Sequence, residues 1–142
     1  MKLQDILRQK SNELFVIRPH ATLQDVVNAL VKHNCGSLLV TDHRGELRGI
    51  ITERDILRAA AKLNTPLEEH QVVDHMSVDL LVAQPDDKVT EAMGWMTEHR
   101  VRHLPITEAG KLVGMISIGD LVKAQHQQLS VENHYLKNYI SG

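Results

Sequence analysis

Aromatic side chains are scarce: one Trp, one Phe and two Tyr make up 3% of the 142 residues, so any core must be aliphatic. Cysteine is reduced to Cys35, which excludes a disulfide framework and a cysteine zinc cluster and suits a reducing cytoplasm. No apolar run approaches the roughly 18 residues of a membrane span, and Met1 to Gln9 is amphipathic without a signal-type apolar stretch. A soluble, non-exported chain with no membrane partner is expected. Charge of one sign is also lacking: 16 basic residues stand interspersed with 18 acidic ones, for a net charge of −2. No basic stripe offers itself to a nucleic-acid backbone, although a short basic cluster still suits one small phosphate. What remains is an ordinary folding composition, 42% hydrophobic against 24% charged. The length suits one compact domain, or two small units sharing a core, because a unit of about 60 residues buries only about 60% of its surface.

The chain repeats itself. At an offset of 66, Pro19, His33, Leu38 and Thr41 meet Pro85, His99, Leu104 and Thr107. After a one-residue slip near Arg44, an offset of 65 matches Gly45, Leu47, Gly49, Ile51 and Asp55 with Gly110, Leu112, Gly114, Ile116 and Asp120. Each unit opens with an apolar run ending at proline, Leu14 to Pro19 and Leu80 to Pro85. An amphipathic helix is expected next, with Leu23, Val26, Val27 and Leu30, or Val89, Ala92, Met93 and Met96, on its apolar stripe and Thr22 or Asp87 as N-cap. A buried strand (Ser37 to Thr41, Leu104 to Thr107), a glycine turn and a second strand (Leu47 to Thr52, Leu112 to Ser117) predict a hairpin. A second helix starts at Glu53 or Ile118, with Ile56, Leu57 and Ala60, or Leu121, Val122 and Ala124, facing inward. The order is strand, helix, strand, strand, helix, twice, an α/β (α+β) pattern. The boundaries read as a first repeat with its lead-in over 1–64, a linker at 65–76 set off by Pro66, a second repeat over 77–125, and a tail at 126–142 that extends the last helix, meets a partner chain, or frays.

One motif occurs in both units: Gly49-Ile50-Ile51-Thr52-Glu53-Arg54-Asp55 and Gly114-Met115-Ile116-Ser117-Ile118-Gly119-Asp120. Thr52 and Ser117 sit at strand-to-helix junctions, with the aspartate three residues on. The plainer explanation is a helix cap reinforced by a carboxylate at the positive end of the helix. The functional explanation uses the same geometry: free N–H groups and a hydroxyl suit a phosphate, and the carboxylate suits a ribose diol. The two are compatible. Arg54, Arg100 and Arg102 read either as solvated surface charges or as guanidinium forks for phosphate. His103 is a phosphate contact, an adenine neighbour or a core histidine. The nine histidines show neither His-Glu-x-x-His spacing nor a Cys/His cluster, which argues against zinc. Cys35 has no marked histidine and acid beside it, so it reads as a small lining residue and not a nucleophile. Trp95 lies off the Met93/Met96 stripe, at an inter-unit or dimer contact. No catalytic constellation is visible.

The duplicated unit, the Gly-x-x-Thr/Ser-x-x-Asp endings and the segment His99-Arg100-Val101-Arg102-His103-Leu104-Pro105-Ile106 resemble a tandem pair of cystathionine-β-synthase (CBS) domains, a Bateman module, over about Asp5 to Lys123. The resemblance implies two units packed through small sheets with pseudo-twofold symmetry, and clefts that bind adenosine compounds such as AMP, ADP, ATP, NAD(H) or S-adenosylmethionine. It assigns Thr52, Arg54, Asp55, Leu81, Val101, Arg102 and His103 to one cleft. Phe15, Cys35, Gly36, Ser37, Ser117 and Asp120 fall to the other, which on this reading gathers only neutral groups around its aspartate and binds phosphate less well. The implied function is a non-catalytic, cytoplasmic nucleotide-sensing module. It would pair as a homodimer through apolar helix faces near Val26 to Leu30 and Val89 to Met96, and signal to a target protein that the sequence does not name. The alternatives are a dimeric scaffold whose motif is only a helix cap, and a small metal-dependent enzyme.

Overall fold

The computed structural model describes residues 1–10 and 13–141, with side-chain environments to residue 138. Ser11 and Asn12 of the lead-in and Gly142 of the tail lie outside the described residues. The elements are α1 (Leu3–Gln9), β1 (Val16–Ile17), α2 (Leu23–His33), β2 (Ser37–Thr41), β3 (Leu47–Thr52), α3 (Glu53–Lys62), two single 3-10 turns (Leu67–Glu69, Val72–Asp74), α4 (Val89–His99), β4 (His103–Glu108), β5 (Lys111–Ser117) and α5 (Ile118–Ser141). They group into two compact units, one of residues 13–81 with 107–113, the other of residues 1–12, 82–106 and 114–142.

In the first of these, β1 pairs parallel with β2, and β2 pairs antiparallel with β3 in the register Leu38 to Ile51 and Val40 to Gly49. Thr22 caps α2: its Oγ1 accepts the Asp25 N–H at 3.0 Å while Asp25 accepts the Thr22 N–H at 2.9 Å, which satisfies donors that the first helical turn leaves unpaired. The apolar face so aligned joins Leu23, Val26 and Leu30 to Leu38, Val40 and Ile51 of the sheet, Ala59 of α3 and Val72 of the second 3-10 turn. At the hairpin end, Asp42 Oδ1 accepts N–H groups of Arg44 and Glu46 and Gly45 takes φ +81°. Burial pushes the Asp42 carboxyl up, but these N–H groups and the Arg48 guanidinium outweigh it and hold it low.

The other unit contains α1, α4, α5 and the open end of the β4–β5 sheet. Its expected first strand shrinks to a single parallel bridge, Ala83 to Ile106, with one bond from Ala83 N–H to the Pro105 carbonyl at 3.0 Å. Proline accounts for the loss: Pro105 occupies the place of Leu39, whose N–H donates to Phe15 in the other unit, and proline has no N–H to donate. Two further expectations change. Lys88, not Asp87, precedes α4, and Asp87 instead accepts the Gln84 N–H at 2.7 Å. On α3 and α5 the buried residues are Ala59, Leu121 and Ala124, and Ile56 packs half-buried against the core, while Leu57, Ala60 and Val122 face solvent. The tail continues α5 to Ser141.

The 3-10 turn at Val72 and the helix α1 play the same part, each in its own unit. Val72 and Val73 donate to Ala21 and Pro19, and Leu23 donates to His70; Leu3 and Gln4 donate to Asp87 and Pro85, and Val89 donates to Met1. The acceptors differ by 66 positions and the donors Val72 and Leu3 by 69, so the duplication includes a lead-in segment, Leu3-Gln4-Asp5 matching Val72-Val73-Asp74.

Candidate functional site

The two hydroxyl–carboxylate turns are built alike. Thr52 Oγ1 accepts the Asp55 N–H at 3.3 Å, and Asp55 Oδ2 accepts the Thr52 N–H at 2.9 Å and its hydroxyl at 3.1 Å. Ser117 Oγ accepts the Asp120 N–H at 3.1 Å, and Asp120 Oδ2 accepts the Ser117 N–H at 2.9 Å. The cap reading therefore holds in both units, and it fixes each carboxylate. Among the described residues, Oδ1 of each aspartate accepts no hydrogen bond, which leaves an acceptor for a ligand.

A strand-start carbonyl meets each turn from within its own unit. Gly36 accepts the Glu53 N–H at 3.0 Å, and Arg102 accepts the Ile118 N–H at 2.9 Å. The residues before these close helix ends. Asn34 and Arg100 take left-handed conformations, φ +51° and +55°, and Cys35 and Val101 N–H groups return to Leu30 and Met96 carbonyls, as helix C-caps do. The structure thus brings Gly36 and Ser37 to Thr52, through the Ser37–Thr52 strand pair, and Arg102 to Ser117. Phe15 stacks on His33 with ring centroids 4.0 Å apart. Phe15 and Cys35 both pack against the core of their unit. Leu81 is half-buried, and Arg54, Arg100, Arg102 and His103 are exposed with no ion pair among the described residues.

Asp55 borders a cavity of about 380 Å³ lined by Arg58, Lys62, Asp74, His75 and Ser77. Asp120 borders a smaller one, about 150 Å³, lined by Gln9, Lys10, Lys123 and Gln127. Here an expectation is corrected. The Asp120 carboxylate does not have only neutral neighbours: Lys10 Nζ lies 2.8 Å from Oδ2. Burial pushes this carboxyl up, but the Lys10 and Ser117 hydrogen bonds and the lysine charge outweigh it and hold it below the ordinary 3.8. Sequence reasoning missed Lys10 because the lead-in repeat is short and divergent; the usable signal was Asp5 repeating as Asp74. Continued to Lys10, that register arrives at Asp79 in the other unit, a charge of opposite sign.

Among the described residues no group of three His, Cys, Asp or Glu side chains is arranged to hold a metal ion, and no helix is long and apolar enough to cross a membrane. The sequence model of the CBS domain matches residues 3–62 and 72–127. The chain is 37% identical over 125 residues to the CBS domain-containing protein CBSX3, mitochondrial, of Arabidopsis thaliana, spanning 85% of this chain and 61% of that protein. Among solved structures, it resembles the CBS-domain containing protein ATU1752 of Agrobacterium tumefaciens at TM-score 0.75 and 33% identity, over 88% of this chain and 99% of the other. It also resembles CBSX2 in complex with AMP at TM-score 0.74 and 28% identity, over 89% and 96% of the two chains.

Proposed function

The chain belongs to the CBS-domain family and carries the domain twice, and from that premise we propose that it is a non-catalytic sensor of adenosine compounds. The observation that carries the reading is the matched pair of turns, in which Thr52–Asp55 and Ser117–Asp120 each hold a carboxylate rigidly with one oxygen unused. A ribose diol needs such an acceptor, held in place before the ligand arrives. AMP bound to a related protein of 28% identity supports the choice of ligand class. ADP, ATP, NAD(H) and S-adenosylmethionine share the adenosine part and belong to the same proposal.

Asp55 and Asp120 take ribose hydroxyls, each held by the hydroxyl residue of its own turn, Thr52 or Ser117. Binding shifts the chain between conformations by its differential affinity for them, and a target protein reads that shift. The free, half-buried Cys35 thiol fits a reducing, cytoplasmic setting.

Thermal shift and calorimetry with AMP, ATP and NADH test the proposal. At least one should stabilise the chain by RT ln(1 + [L]/Kd), and Asp55→Ala combined with Asp120→Ala should abolish that effect in a protein that remains folded. Absence of any stabilisation leaves the turns as helix caps in a scaffold, and the sensor reading fails.

A further inference from the structure

The Asp120 turn differs from its copy in one respect: it already has an occupant. Lys10 Nζ donates to Asp120 Oδ2 and to the Met115 carbonyl, each at 2.8 Å. Two of the three ammonium donors are thereby committed. The side chains are 33% and 27% exposed, so the pair is partly withdrawn from water. The lysine is held there by α1, which buries Leu3 and Ile6 and is tied by backbone bonds to Asp87 and Pro85. Leu7 fills the space over Gly114, where a Cβ would come within 2.6 Å of its methyl group. Lys123 lines the same cavity. Asp55, by contrast, makes no ion pair among the described residues.

We infer that Lys10 decides which adenosine ligands the Asp120 site accepts, by exchanging its carboxylate partner for a ligand phosphate. This rests on the reading of Asp120 as a ribose acceptor. A diol that uses both carboxylate oxygens competes with Lys10 for Oδ2, which also serves the Ser117 N–H. A neutral nucleoside that displaces the ammonium leaves a partly buried cation without its counter-ion, an unfavourable state. A nucleotide supplies a new anion to the released ammonium and forms a charge-assisted bond in place of the one broken. No covalent bond changes and no proton moves. Lys10 therefore acts as a selectivity filter for phosphorylated over unphosphorylated adenosine compounds at this site.

The test is calorimetry with AMP and adenosine on the full chain carrying Asp55→Ala, which isolates the Asp120 site, with and without Lys10→Met. The expected result is a preference for AMP of tenfold or more, narrowed at least tenfold by Lys10→Met as adenosine tightens and AMP weakens. An unchanged ratio overturns the inference. Should Lys10→Met disturb α1, Lys10→Gln keeps a polar side chain there without the charge and carries the same expectation. A carboxyl NMR titration provides a readout independent of ligand: the Asp120 pKa should rise in either variant, and an unmoved pKa also overturns the inference. If AMP binds the unsubstituted chain but not the Asp55→Ala chain, the sensor reading stands and the Lys10 inference falls; if AMP and adenosine bind neither, both fall.

Discussion

Lys10 and Asp120, 110 residues apart in the chain, meet at 2.8 Å, and the contact ties the lead-in helix α1 to the first turn of α5. Because the folded Asp120 carboxyl is held low, its contribution to stability is present above the unfolded aspartate value of about 3.9 and is lost as pH falls through the lower folded value. The stability difference between the natural chain and Lys10→Met should be constant from neutral pH down to about pH 5 and vanish at acid pH. Urea unfolding at a series of pH values measures it, and a difference that persists below the carboxylate range would exclude the ion pair as its source.

Gly49 and Gly114 are equivalent positions with unequal tolerance. A Cβ on Gly49 would come within 2.6 Å of the Ser77 carbonyl, in a strand that exchanges two 2.9 Å bonds between Ile50 and Ser77; a Cβ on Gly114 would meet the flexible end of Leu7. Backbone cannot yield as a methyl group can. Gly49→Ala should cost about 1–3 kcal/mol and Gly114→Ala distinctly less, by equilibrium unfolding. Equal costs would contradict the asymmetry.

Arg100 occupies the left-handed cap of α4, where a residue with a Cβ is strained and glycine is not. Arg100→Gly should stabilise the chain by about 0.5–1 kcal/mol. The matching Asn34→Gly should change little, since asparagine already tolerates that conformation. If Arg100 also contacts phosphate, the stabilised variant binds AMP more weakly and adenosine unchanged, which calorimetry would show.

Within the stretches expected to form a dimer face, Val26, Leu30, Val89 and Met96 are buried, while Val27 is half-buried and borders open apolar surface. Val31 and Leu57 are 76% and 70% exposed on a groove of about 350 Å³ shared with Val27 and Ile56. A twofold pairing of this face is the simplest way to cover it. Light scattering should give twice the 16.0 kDa chain mass, and Val31→Glu with Leu57→Glu should give monomer. A monomeric natural chain at micromolar concentration would overturn the expected homodimer.

The order of elements was legible because it depends on local physics repeated twice. The i, i+3, i+4, i+7 spacing of Leu23, Val26, Val27 and Leu30, the Thr22 and Thr52 caps and the glycine turn at Gly45 each act within a few residues, and each appears where the pattern puts it. The Asp87 cap and the first strand of the second repeat were misread for reasons equally local but competing. Asp87 satisfies the Gln84 N–H, and Pro105 withholds a donor.

By itself the sequence determined the duplication, the strand-helix-strand-strand-helix order of the first copy, the helix-strand-strand-helix order of the second and the two hydroxyl–carboxylate turns, because periodicity and capping are properties of neighbouring residues. The tertiary structure alone decided the partner of α1, the outward turn of Leu57 and Val122, and, among the described residues, the presence of an ammonium group on Asp120 but not on Asp55. Those depend on which distant segment covers which face, and the energy that selects it comes from burying Leu3 and Ile6 in one unit and Val72 in the other. No spacing within either copy encodes a contact across 110 residues.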